Sequence, residues 1–177
     1  MDFEKLKQQI EEATKKAFRE MYEKHGAENI YSFALYSDEG AMTVCPSANT
    51  MEALKKIDED DALYYKYEPV EWTYEMEGAD QDFNEICTSL RTELTQYDED
   101  DDGFQEFQAK LYSTCIDVLE KLKNENFFKN TIEKEIFLIF TVSDYEFEKQ
   151  DLKDIIIRLN DNEYKSEYLE WMETWGN

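Results

Sequence analysis

Ile136-Phe137-Leu138-Ile139-Phe140-Thr141-Val142 decides the fold class. A strand with one wet face alternates apolar and polar side chains. This run is apolar on both faces, so it predicts a strand covered on both sides and placed at the centre of a sheet. Ser143-Asp144 closes it. Downstream, Leu152, Ile155, Ile156 and Leu159 have the spacing of a short helix. Tyr164, Tyr168, Leu169, Trp171 and Met172 fit a terminal one.

Upstream, two helical stripes precede the run. Phe83, Ile86, Cys87, Leu90, Leu94 and Tyr97 form the first, with Asp80 as its expected cap. Phe104, Phe107, Leu111, Cys115, Val118 and Leu122 form the second. Residues 3–24 open the chain as an amphipathic helix through Phe3, Leu6, Ile10, Ala13, Ala17 and Met21, and Gly26 is suited to a left-handed stop. A hairpin follows. Tyr31, Phe33 and Leu35 share one face, Asp38-Glu39-Gly40 turns, and Met42 to Cys45 returns. Pro46 is expected to end pairing, and Asn49 with Glu52 has capping-box spacing for a short helix through Ile57. Residues 63–74, broken by Pro69, read as an aromatic edge segment. Strands and helices do not alternate regularly. The expectation is therefore one α+β domain over residues 1–177, a small mostly antiparallel sheet packed with several helices.

Charge narrows the function. The chain has 177 residues with 43 acids against 19 bases, a net charge of −24. That sign disfavours direct binding to nucleic acid or to an anionic membrane and favours a basic protein partner. No apolar run approaches the ~20 residues of a membrane span. With 41% hydrophobic and 15% aromatic residues, the chain is a folded domain and not an acidic tail. The acidity is local. Residues 58–102 hold 17 acids and 2 bases, and the same stretch carries Tyr64, Tyr65, Tyr67, Trp72 and Tyr74. The plain reading is a solvated acidic coat over core aromatics. The coincidence in one segment also fits a docking surface, on which carboxylates steer a cationic polypeptide and rings hold it. The residues predicted to bind the partner are Glu68, Glu71, Trp72, Tyr74, Glu75, Asp98, Asp100 and Asp102.

No catalytic residue, metal site or cofactor site is predicted. Acids at 98, 100 and 102 before Gly103 match the opening of a calcium loop, but the twelfth position is Ala109 where a bidentate Glu is required. His25 is the sole histidine and has no cysteine at zinc-ligand spacing. Cys87 and Cys115 lie on apolar stripes, where a small buried thiol is the ordinary explanation. The five glycines are isolated, so no phosphate loop exists. Three free thiols and an N-terminus that runs straight into a mixed-charge helix predict a cytoplasmic protein.

Tyr31-Ser32-Phe33-Ala34-Leu35-Tyr36-Ser37-Asp38 and Thr43-Val44-Cys45-Pro46-Ser47-Ala48-Asn49-Thr50 resemble the bacterial domain-of-unknown-function 4303 family. Its members are similar also in a Trp-containing segment like Pro69 to Glu75, an apolar strand closed by Asp like Ile136 to Asp144, and an opening helix. The resemblance carries no catalytic residue. It implies a small cytoplasmic bacterial protein of the immunity type, encoded near a toxin. The expected function is therefore inhibition of a basic, cognate toxin domain by protein–protein contact. The alternatives are an acidic nucleic-acid mimic that blocks a DNA- or RNA-binding protein, and an enzyme of unrecognised type.

Overall fold

Strand β1 (Ile30–Asp38) is flanked by partners on both edges. It pairs antiparallel with β2 (Val44–Thr50), which pairs antiparallel with the two-residue β3 (Tyr74–Glu75). On its other side it pairs parallel with β4 (Phe137–Ser143). The sheet order is β3-β2-β1-β4, mostly antiparallel but mixed. These assignments come from a computed structural model that describes residues 1–97, 100–143 and 147–175.

The helices are α1 (Phe3–His25), α2 (Met51–Leu54), α3 (Ala62–Tyr67), α4 (Asp80–Leu94), α5 (Asp101–Asn124), α6 (Phe127–Ile132), α7 (Lys149–Leu159) and α8 (Glu163–Met172). They sort onto two faces of the sheet. On one face, Phe33, Leu35, Leu138 and Phe140 pack against Ile10 and Phe18 of α1, Phe83 and Leu90 of α4, Leu111 and Val118 of α5, and Phe128 of α6. On the other, Ala34, Phe137 and Ile139 meet Tyr67 of α3, Trp72, and Tyr168 and Met172 of α8. Helix α7 serves both, with Ile155 and Leu159 in the first core and Ile156 in the second. Each such large apolar side chain taken out of water stabilises the fold by about 1.5–3 kcal/mol.

The apolar run is thus covered on both faces, as expected, but it forms an edge strand and not the centre. Its outer edge is closed by side chains. Asn160 accepts from the Leu138 amide at 2.8 Å and donates Nδ2 to the Leu138 carbonyl at 2.7 Å; Asn162 donates to Ile136 O at 2.8 Å. The asparagine amide does what a further strand would do.

Several local expectations are corrected. Pro46 does not end pairing: it sits inside β2 opposite Leu35. Its carbonyl accepts from Met76 N at 2.9 Å on the β3 side. A residue's N and O point the same way along a strand, so the missing N–H costs the β1–β2 ladder nothing. Thr50, not Asn49, caps α2 by accepting from Ala53 N at 3.2 Å. Asn49 remains in the strand, where it donates to the Tyr31 hydroxyl at 3.2 Å. An irregularity between Ile30 and Ser32 turns Tyr31 away from Phe33 and Leu35, toward Lys66 O at 2.8 Å and the Tyr164 ring. Gly26 is right-handed, and Asn29, φ 65°, takes the left-handed position after a short turn. Ala79 at φ 50°, not Asp80, occupies the start of α4, with its N–H donated to Glu20 Oε2 at 2.7 Å. Gly78 (φ 87°) crosses so close to Ala17 that a Cβ would lie 2.9 Å from backbone. Residues 63–74 are mostly helical turns, with β3 as their only strand.

Charge pairs clamp the helices of the first face. Asp117 of α5 accepts from Lys7 of α1 at 2.8 Å and from Arg158 of α7 at 2.7 Å; Arg158 also binds Glu120 at 2.5 Å. Burial pushes the Asp117 carboxyl up, but the two cations outweigh it and hold it below its ordinary range. A carboxyl whose folded pKa lies below its unfolded one stabilises above the unfolded value and loses that contribution as pH falls through the folded one. Arg158→Met is therefore expected to lower the urea midpoint at about pH 6 and to converge with the wild type as acid protonates Asp117 in the folded state. A difference that persists undiminished in acid would show that packing, not charge, holds α7.

Candidate functional site

The parallel strands β1 and β4 run past the helices that cover the second face. Alternation places Tyr36 beyond Ala34 on β1, and Thr141 and Ser143 beyond Ile139 on β4. The uncovered ends open into a groove of about 720 Å³. Its lining adds the turn Glu68-Pro69-Val70, Glu75 of β3, Phe147, Lys149 and Leu152 of α7, and Trp175.

The polar groups here are arranged. The Tyr36 hydroxyl donates to Glu75 Oε1 at 2.9 Å. Burial, with Cys45 and Glu75 nearby, raises the Tyr36 pKa, so the phenol keeps its proton. Burial also raises the Glu68 carboxyl, with Glu71 adding repulsion and a backbone hydrogen bond at Val70 opposing. The same groove is lined by the apolar surfaces of Val70, Leu152, Phe147 and Trp175. A groove of this make-up suits an aliphatic stem that ends in a cation, because the stem covers apolar surface while the head meets the carboxylates.

The predicted binding residues separate in space. Glu68 and Glu75 line the groove. Glu71 is exposed on the turn beside them, within hydrogen-bonding reach of Tyr64. Trp72 is corrected: it is 4% exposed, its indole donates to Lys66 O at 3.2 Å, and it packs in the second core, so it cannot grip a partner. Tyr74 is also displaced. Alternation along β3 sends Glu75 to the groove and Tyr74 to the other face, where it stacks on His25 at 3.8 Å and donates to Glu28 Oε2 at 2.6 Å. Asp100 caps α5 by accepting from Gly103 N at 3.0 Å, and Asp102 lies in that helix's first turn; neither lines the groove. Asp98 lies outside the described residues. Tyr36, Thr141, Ser143 and Lys149 were missed. Their alternation was visible, but only the tertiary structure shows that the covering helices stop short of them.

The apolar surface left for a partner is also local. Leu63, Tyr64, Val70 and Met76 are exposed, Val70 at 63% and Met76 at 62%. Around them, Asp58, Glu59, Asp60, Asp61, Glu68, Glu71 and Glu75 make no ion pair among the described residues, in contrast to the paired acids of α1 and α5. Among the described residues no group of three or more His, Cys, Asp or Glu is placed to hold a metal. No described helix is long and apolar enough to cross a membrane.

A model of a domain of unknown function, DUF4303, matches residues 10–161. No curated protein and no solved structure matches the chain.

Proposed function

The chain belongs to the DUF4303 family, and on that premise we propose that it is a binding protein that inhibits a basic partner, a cognate toxin domain, by covering it. The observation that carries this reading is the set of unpaired carboxylates over residues 58–75, gathered around exposed Leu63, Tyr64, Val70 and Met76. Glu11, Asp117 and Glu120 on the helices of the first face have lysine or arginine partners within the chain. The carboxylates of residues 58–75 have none among the described residues, and their charge remains available to an outside cation. Carboxylates around an apolar centre give fast, salt-sensitive association with the apolar contacts supplying residence time.

The test replaces Glu68, Glu71 and Glu75 together by Lys. Association with a basic protein captured from the host lysate is expected to slow about tenfold or more at low salt, with the difference shrinking as salt rises. The exposed pair Glu71→Lys and Glu75→Lys serves if the triple variant melts early. An unchanged association rate in a folded variant would place the interface elsewhere, and a wild type that captures no basic protein would end the proposal.

A second reading has its own observation. Glu68 is a desolvated carboxyl in the groove that is also lined by the Tyr36 phenol, Ser143 and Lys149. Such a carboxyl is suited to acid–base work. A turnover abolished by Glu68→Gln, with capture of the basic partner intact, would favour an enzyme over an inhibitor.

A further inference from the structure

We propose that Cys45 and Cys87 form a two-thiol oxidation site that hydrogen peroxide converts to a disulfide joining β2 to α4. Cys87 sits in the middle of α4, and its Sγ donates to the carbonyl of Val44, the residue before Cys45, at 3.6 Å. The Cys45 and Cys87 thiols lie within electrostatic reach of each other. The two sulfurs are therefore neighbours although their residues lie far apart in sequence. Cys115 is the contrast: it is wholly enclosed on α5, and burial alone shapes its titration. That is the small hydrophobe expected of a core thiol.

The surroundings divide the pair into roles. The neighbouring Cys45 thiol holds Cys87 below the ordinary thiol range against the opposing effect of burial, and Arg91, one turn further along α4, acts in the same direction as Cys45. Cys45 is held above that range by Cys87 and by burial. A thiolate on Cys87 beside a protonated Cys45 is the arrangement of an attacking and a resolving thiol. Both residues keep a small opening, 6% and 7% exposed, which suits a small oxidant.

The chemistry balances with peroxide as the sole oxidant. The Cys87 sulfur attacks one peroxide oxygen; an S–O bond forms, the O–O bond breaks, and the leaving hydroxide takes the proton released by Cys87 as water. Cys45 then attacks the sulfenic sulfur; the S–S bond forms, the S–O bond breaks, and the hydroxyl leaves with the Cys45 proton as a second water. The two thiols lose two electrons and two protons, and peroxide is reduced to water. Cys45 faces Tyr36 across the ladder, and Tyr36 reaches Glu75, so Cys45 adjoins the groove through Tyr36.

The experiment treats the full chain with dilute hydrogen peroxide, blocks remaining thiols with N-ethylmaleimide under denaturing conditions, and reads intact mass and proteolytic peptides. The wild type is expected to lose about 2 Da and to label once, on Cys115, with the peptides of Cys45 and Cys87 linked until reductant is added. Cys115→Ser should form the same link and label nowhere. Cys45→Ser should instead leave Cys87 as a sulfenic acid trapped by dimedone. A wild type that retains three labelled thiols would overturn the proposal. So would a link that involves Cys115 or a second chain. The wild-type peptide map decides the matter even if a serine variant fails to fold.

Discussion

Phe137→Ala is expected to cost about 3–5 kcal/mol, among the largest effects of any single substitution in this chain. Phe137 is fully buried at the start of β4. Its ring lies 4.9 Å from Tyr67 and 5.4 Å from Tyr168, with Trp72 at 6.5 Å. All three rings contact it, and they come from α3, α8 and the turn between α3 and β3. Removing it deletes the transfer free energy of a phenyl ring and leaves a void that rigid aromatic neighbours cannot close. For a chain of this length the thermal midpoint should fall by roughly 6–20 °C. Val70→Ala, at an exposed position, should stay within about 0.5 kcal/mol. A Phe137→Ala loss under about 1 kcal/mol would mean that the second face is not packed around this ring.

The second large effect concerns a polar residue. Asn160→Ala removes both hydrogen bonds that close the Leu138 edge of β4. Each buried backbone group left without a partner costs about 1–3 kcal/mol, which gives roughly 2–6 kcal/mol for the two. The local signature separates this cause from general destabilisation. The Leu138 amide points at Asn160 and should exchange with solvent orders of magnitude faster in the variant, while the Ile139 amide, directed at β1, keeps its protection relative to global unfolding. Equal protection of Leu138 in both proteins would remove the asparagine from its role as a strand substitute.

The two predictions also mark what could be read in advance. The residues around Phe137 announced a strand covered on both faces, since no other arrangement buries consecutive large side chains on a short extended run. The stripes of α1, α4 and α5 were legible for the same reason, because a periodicity of 3.6 records which face meets a core. Asn160 was not legible. A polar residue after a short helix looks like any helix end, and its value lies in an edge more than twenty residues upstream. Pro46 shows the converse. Proline commonly ends pairing, but here its nitrogen faces away from β1, on the side where β3 has already ended.

For the candidate site the division is sharper. Net charge and its concentration in residues 58–102 are properties of composition, so Glu68, Glu71 and Glu75 were found by counting. Residue type marks Trp72 and Tyr74 as ring contacts, and type does not say which way a ring turns. The α+β fold, its amphipathic helices, its doubly covered strand and its local acidity are legible in the residues alone, because periodicity and charge are carried residue by residue. Tertiary structure decided that Trp72 belongs to a core, that Tyr36 and Glu75 meet, that Cys45 finds Cys87, and that two parallel strands outrun their covering helices to leave a groove. Each of those depends on where distant segments stop, and burial is set by neighbours that no local window contains.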